Sequence, residues 1–517
     1  MKQKTWIISA LMCAMVIMVC LGVLHLLKEM TENNAPSGTV AEESTDHTEP
    51  EIDFAEEEET KEDIAETGPE EEESDVPVER EEGYYGWKQE LPQIFPSVPE
   101  EVPYEPPRLI LATDLHYQSA QADDGGAAFQ LFVERGDGKV VEYLPELLEA
   151  FMDQVIEEHP SALVLSGDIT MNGEKINHEE LARGLMRVQD AGIPVLIVPG
   201  NHDINNPHAA VYFGEEKAET DPVTPEEFYN IYHMYGYDQA ISRDDASLSY
   251  VYQLDERNRL LMLDTCQYEP KNMVEGQLKV ETLQWADEQL KKAKEDGMNV
   301  LPIGHHNLLA QSRMYTTQCA MNNNGDVIEL FQKYELPLYL SGHLHVQRIR
   351  KHKAEPGAAD DSYGIMEIVT DALSIPPCQY ALLEWKRDGS MEYSTKAVDV
   401  SAWAARTGSQ NPDLLDFEGW SELYIQKLII DQIRGVVKNL GNDVEHSMAE
   451  VYASVYIDYY AGRRIDAKGI RSSKGYRWWE RNMPDSYLLK ELDAMIDDSD
   501  RDNNYMLLPE VNAAAEE

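Results

Sequence analysis

The sequence predicts an α/β domain that gives way to a helical region at its C-terminal end. Three observations carry this reading. From Arg108 onward, short apolar runs that read as buried strands alternate with stretches of helical periodicity. Further along, the strand-like runs come closer together and include a hairpin signal. From about Ser401 the pattern is helical throughout.

The strand-like runs are Leu109–Thr113, Ala162–Leu165, Val195–Val198, Leu260–Leu263, Val300–Ile303 and Leu338–Leu340. Helical patterns occupy Leu144–Glu158, Glu179–Ala191 and Val280–Glu295. Tyr363–Val369 reads as another strand. Tyr380–Trp385 and Met391–Val398 flank Arg387-Asp388-Gly389, which predicts a hairpin. Beyond it, Ile425, Leu428, Ile429, Ile433, Val436, Val437 and Leu440 recur at helical spacing. They predict a helix over Glu418–Leu440 that Gly441 stops and the interior Gly435 weakens. Helices over Met448–Gly462 and Tyr487–Ile496 complete a helical subdomain, residues 401–517, in which the stripe Tyr452, Tyr456, Tyr459 and Tyr460 reads as core.

The N-terminal part is not of this kind. Lys2 and Lys4 precede Thr5–Leu27, a stretch without Asp, Glu, Lys or Arg. As a helix at ~1.5 Å per residue it spans roughly 34 Å, enough to cross a bilayer core of ~30 Å. This predicts a membrane anchor over residues 1–28, with the lysines inside and the rest of the chain outside the cell. A cleaved signal peptide is the rival, but no small-x-small site follows, and Val19 stands where a lipoprotein Cys20 needs a small residue. Glu32–Glu82 then holds 22 acidic residues against Lys61 and Arg80. Residues 29–82 are therefore expected to be a solvated spacer, because such a segment cannot bury enough apolar surface to fold. The proline- and aromatic-rich Gly83–Pro107 leads into a domain over residues 83–400.

A formal net charge of -53 over 517 residues argues against a nucleic-acid duplex as partner, because like charges repel. A small anion remains admissible, since a bound cation inverts the local field. The five cysteines have no CxxC spacing and form neither a disulfide framework nor a zinc ribbon.

The polar residues of interest fall where strands end, the place where open α/β sheets bind ligands. The run at Leu109 ends in Asp114-Leu115-His116, that at Leu163 in Ser166-Gly167-Asp168, and that at Val195 in Pro199-Gly200-Asn201-His202-Asp203. Val300–Ile303 ends in Gly304-His305-His306, and Leu338–Leu340 in Ser341-Gly342-His343-Leu344-His345. Each motif alone is common. Five clusters of Asp, Asn and His in one cleft would be costly without a cation to pair them.

The order D-x-H, G-D, G-N-H-D, G-H, G-H-x-H resembles the calcineurin-like metallophosphoesterase superfamily over Arg108 to Val398. Asp114-Leu115-His116-Tyr117, followed by Phe129 to Tyr143 with its Gly136-Asp137-Gly138-Lys139, is similar to the opening of exported Gram-positive cyclic nucleotide phosphodiesterases. So is the helical C-terminal subdomain. The resemblance implies a sandwich of two mixed sheets flanked by helices. It also implies one metal on Asp114, His116 and His345, a second on Asn201, His305 and His343, and Asp168 shared by both. Nitrogen and oxygen donors without thiolates suit manganese or iron, with zinc possible. In the family a water between the two ions becomes the nucleophile, and His202 protonates the departing oxygen, a role that suits its near-neutral pKa. Asp203 is placed to orient His202. His306 adjoins His305, and either could reach a metal. The expected function is hydrolysis of small phosphodiesters, cyclic nucleotides among them, outside the cell. A phosphomonoesterase or nucleotidase on the same site is the enzymatic alternative, and a surface-binding protein on a degenerate scaffold the non-enzymatic one.

Overall fold

The structure, a computed structural model, describes residues 104–313, 317–352 and 364–508. The expected anchor and acidic spacer lie outside these residues. Among the described residues, no helix is long and apolar enough to cross a membrane.

Fifteen strands are described: β1 (Arg108–Ala112), β2 (Ala162–Ser166), β3 (Val195–Val198), β4 (Ala210–Phe213), β5 (Glu216–Glu219), β6 (Ser242–Arg243), β7 (Tyr250–Gln253), β8 (Asn258–Leu263), β9 (Asn299–Gly304), β10 (Leu338–Ser341), β11 (Arg348–Lys351), β12 (Met366–Val369), β13 (Gln379–Trp385), β14 (Met391–Ala397) and β15 (Tyr505–Leu508). A six-stranded sheet runs β15-β14-β13-β1-β2-β3, and a seven-stranded sheet runs β11-β12-β10-β9-β8-β7-β6. Both are mixed, as expected. In the first, β1, β2 and β3 are parallel while β13 lies antiparallel to β1. In the second, β8, β9, β10 and β12 are parallel, and β7 and β11 antiparallel to their neighbours. Parallel strands covered on both faces must be apolar throughout, and β1 to β3 are buried from Leu109 to Ala112, Ala162 to Ser166 and Val195 to Val198.

This topology positions the site. The motifs after β1, β2 and β3 emerge at one edge because those strands point the same way. The motifs after β9 and β10 share an edge of the second sheet for the same reason.

Helices Leu144–Glu158 and Val280–Glu295 have the expected bounds. Three other helix boundaries differ by four residues or more. The expected Glu179 helix begins at Lys175, the expected Glu418 helix ends at Val436, and the next begins at Asn442 rather than Met448. Gly441, read as a stop, immediately precedes that next helix at φ 96°, and Asp443 and Glu445 in its first turn complement the helix dipole. The predicted hairpin is β13–β14, with Trp385 opposite Met391 and Gly389 at φ 83°. Tyr452, Tyr456, Tyr459 and Tyr460 are buried, as core residues should be. β15 had no counterpart in the sequence reading. After the C-terminal helices the chain returns and adds this strand to the edge of the first sheet, antiparallel to β14.

Candidate metal centre

The five motifs converge. Asp114, His116, Asp168 and His345 offer ligand atoms that all lie within 4.8 Å of one another, and all four side chains are buried. His116 Nε2 and His345 Nε2 face each other at 3.1 Å. Asp114 Oδ1 accepts no hydrogen bond among the described residues and sits 3.2 Å from His345 Nε2. Asp168 Oδ2 lies 3.9 Å from His116 Nε2 and 3.3 Å from His305 Nε2. Asn201 Oδ1 is 3.3 Å from the same His305 nitrogen. One carboxylate oxygen thus stands between two groups of donors, the arrangement a shared ligand requires.

The backbone is bent to make this possible. Of eleven non-glycine residues with positive φ among the described residues, five are Asp114, His116, Asp168, His343 and His345. Such conformations cost energy and persist where surrounding structure imposes them, typically at functional sites. Two glycines allow the close approach. A Cβ on Gly200 would collide with the Asp168 backbone and carboxylate, and one on Gly342 with the Thr113 hydroxyl and the Asp114 carboxylate.

Hydrogen bonds select which ring nitrogen is presented. His305 Nδ1 donates to Ser166 O at 2.9 Å, which leaves Nε2 toward Asp168 and Asn201. His343 Nε2 donates to Gln318 O at 2.8 Å, which leaves Nδ1 for a metal. His306 is different. Its Nδ1 faces Thr265 Oγ1 at 2.8 Å and its Nε2 faces Val274 O at 3.0 Å. A neutral imidazole has one donor and one acceptor nitrogen, and both are engaged. His306 is therefore a packing residue beside the site, although it lies close to His305 and His343.

His202 Nδ1 donates to Met171 O at 2.8 Å, with Asn172 Oδ1 at 3.2 Å, and its Nε2 lies 4.0 Å from Asp168 Oδ2. Asp203 was expected to orient this ring. Its carboxylate instead accepts from Gly200 N, Ile169 N, Thr170 N and Thr170 Oγ1, at 2.8 to 3.2 Å. It therefore fastens the Asp168 loop to the Asn201 loop, and Met171 and Asn172 hold His202. A backbone carbonyl leaves no mark in a sequence, so Met171 was not foreseeable. Asn172, four residues after Asp168, was visible but unassigned.

Electrostatics suits cations. Burial alone would raise Asp114, and His345 and His305 outweigh it to hold the carboxyl below its usual range. Asp168 is likewise held well below, burial being outweighed by His305 and His202. Burial, with Lys139 nearby, pushes His116 well down, and burial and His305 lower His343 to about 4. Ionised carboxylates and neutral imidazoles are the forms that bind metal. His305, raised to about 9 by Asp168 against the effect of burial, would release its proton to a cation. The buried unpartnered Asp114 oxygen, the oxygen–nitrogen donor set and the glycine clearances together fit a pair of divalent ions.

Residues 107–347 match the calcineurin-like phosphoesterase family. That region of the chain is of the calcineurin-like phosphoesterase type. It is a dimetal phosphoesterase, an enzyme whose identified fold is the mixed two-sheet architecture described above. Residues 399–502 match the C-terminal domain of cyclic nucleotide phosphodiesterase. Among solved structures, a dimetal phosphatase from Danio rerio is 16% identical, covers 57% of this chain and 97% of its own, and superposes with a TM-score of 0.43. A purple acid phosphatase from yellow lupin (Lupinus luteus) seeds is 13% identical, covers 57% of this chain and 52% of its own, and gives 0.38. No curated protein matches the sequence.

Proposed function

We propose that this phosphoesterase hydrolyses phosphodiesters, with cyclic nucleotides as the substrate class, on the outer side of a cell membrane. The match of residues 399–502 to the C-terminal domain of cyclic nucleotide phosphodiesterase carries the choice of substrate. The lysine-flanked apolar stretch Thr5–Leu27 supports the location. In this reading Asp114, His116 and His345 hold one cation, Asn201, His305 and His343 the other, and Asp168 both. The oxygen and nitrogen donors favour manganese or iron, with zinc admissible. When bound, such a pair stabilises charge on the phosphate oxygens and makes water acidic.

The protein's own residues do the rest. Asp203 keeps the Asp168 and Asn201 loops in register. Met171 O accepts the Nδ1 proton of His202, so that Nε2 faces the site and, in the imidazolium form, can pass its own proton to the leaving oxygen. Of the cationic side chains that a dianionic monoester would seek, Arg348 and Arg313 pair with Asp498, while Lys139, paired with Asp137, stays within electrostatic reach of His116.

The test uses leaving groups. A ribose alkoxide needs a proton to depart, whereas a nitrophenolate hardly does. His202→Ala should lose ~10²–10⁴-fold with a cyclic nucleotide, a typical general-acid contribution. It should lose far less with a nitrophenyl phosphodiester, at near-normal metal content. Equal losses on both substrates would refute proton donation. A higher kcat/KM for nucleoside monophosphates than for cyclic nucleotides would refute the substrate class.

A further inference from the structure

Glu367 lies in the middle of β12 and is fully buried, yet no cationic side chain pairs with it among the described residues. Four donors converge on its carboxylate instead. Oε1 accepts from Leu308 N at 2.8 Å and Ser341 Oγ at 2.6 Å. Oε2 accepts from Leu309 N at 2.6 Å and Gln311 Nε2 at 2.6 Å. Each oxygen takes two short bonds, the length expected when the acceptor is ionised. Burial pushes this carboxyl up to about 7, and the four donors offset only part of that rise.

The donors share a purpose. Leu308 and Leu309 follow His305 by three and four residues in the turn that leaves β9. Ser341 ends β10 and stands two residues before His343, and its hydroxyl also accepts from Asn307 Nδ2 at 3.0 Å. Gln311 stands seven residues before Gln318, whose carbonyl accepts from His343 Nε2 at 2.8 Å. Every segment tied to Glu367 thus bears or orients His305 or His343. None of its hydrogen bonds reaches the segments of Asp114 or His116, although the Ser341 segment goes on to carry His345 two residues past His343. Asn307 Nδ2 adds a direct strap from the first turn to Gly342 O at 2.9 Å.

We infer that Glu367 is a positioning residue that holds the His305 and His343 loops in mutual register and so sets cation affinity chiefly in that half of the centre. The inference rests on the ligand assignment proposed above. A glutamine cannot replace this carboxylate. Its NH2 would face a backbone N–H, Leu308 or Leu309, wherever it pointed, so at least one bond is lost and that loop is pushed away. Groups that orient metal ligands in this way typically cost 10–100-fold in metal affinity when removed.

The experiment is Mn²⁺ titration of the metal-stripped full chain in detergent, with thermal unfolding recorded alongside. The wild type should bind two ions per chain. Glu367→Gln should bind one ion 10–100-fold more weakly and the other with a clearly smaller loss, with the unfolding temperatures of the stripped proteins close to each other. Asp168→Asn should weaken both ions. Ser341→Ala, which removes a single donor and is expected to fold, should show the same unequal loss to a smaller degree. Two ions bound by Glu367→Gln as tightly as by wild type would overturn the inference. So would equal weakening of both ions. If Glu367→Gln does not fold, an unchanged Ser341→Ala overturns it. Fewer than two ions in the wild type would instead overturn the ligand assignment and this inference with it.

Discussion

His178 shows how a histidine can be wholly buried beside a metal site and have no part in it. Its ring is satisfied by Tyr232 OH at 3.0 Å, Thr170 Oγ1 at 3.1 Å and Asp203 O at 2.9 Å. Burial lowers its pKa to about 3. An unfolded chain takes up a proton on this residue below ~6.5, and the native protein does not until about pH 3. Its contribution to stability is therefore flat above that window and falls as pH drops through it, by ~1.4 kcal/mol per unit. Urea unfolding of wild type and His178→Gln between pH 4 and 7 should show the difference in stability shrinking by that slope as pH falls. A pH-independent difference would mean that the ring takes up its proton alike in the native and unfolded chains. At this scale the seven ligand candidates were legible because each combines a ligand-type side chain with a strand end. Asp203 was legible as important but not in its role, because a short carboxylate bonds to whichever backbone amides the tertiary fold brings to it. Glu367 was in plain view as the single charge of an apolar strand, and nothing local told which loops it would meet.

Among elements, the C-terminal region is built into the catalytic part more closely than a separate subdomain would be. Its helices share a core cluster with Leu344, Val346 and Val369, residues that flank His343 and His345 or end β12. Gln347 N donates to Tyr460 O at 2.9 Å, and Gln347 Nε2 to Asn503 O at 2.9 Å. Asn504 then bonds Thr395 of β14, through its side chain at 2.7 Å, and β15 follows. Deleting residues 401–517 would therefore strip an edge strand and unbrace the His345 segment, and is not a clean test of substrate choice. A smaller cut is. A chain ending at Asn504 should be less stable than one ending at Leu508 by on the order of 3–5 kcal/mol, from ladder hydrogen bonds of ~1 kcal/mol each and ~1.5–3 kcal/mol for burying Leu508. Thermal unfolding of the two compares them directly, and equal midpoints would show that β15 contributes nothing. The sequence hid β15 because four residues at the end of a helical run carry no periodicity of their own, and partners 111 to 117 residues away in the chain are not visible to a local pattern.

For the whole molecule, the acidic segment Glu32–Glu82 separates the predicted anchor from the catalytic region. If the orientation proposed from Lys2 and Lys4 holds, protease added to intact cells should cut in this segment and release a soluble, active fragment. Release only after lysis would reverse the orientation. The surplus of negative charge also bears on substrate encounter. An anionic phosphodiester meets a repulsive overall field, so the cations must supply the local attraction. The metal-stripped protein should therefore bind a cyclic nucleotide far more weakly than the loaded one, as calorimetry would show.

What the sequence by itself determined is the class of the fold, the strands that end in ligand-type residues and the chemistry those residues can perform. These depend on side-chain identity and short-range periodicity, which are local properties. Only the tertiary structure decided that His306 is engaged through both nitrogens, that Met171 rather than Asp203 holds His202, that Glu367 gathers two loops, and that the chain end completes the first sheet. Each of these is a pairing between groups distant in sequence. A hydrogen bond or a ladder is directional and spans about 3 Å, so its partners are known only once packing has placed them.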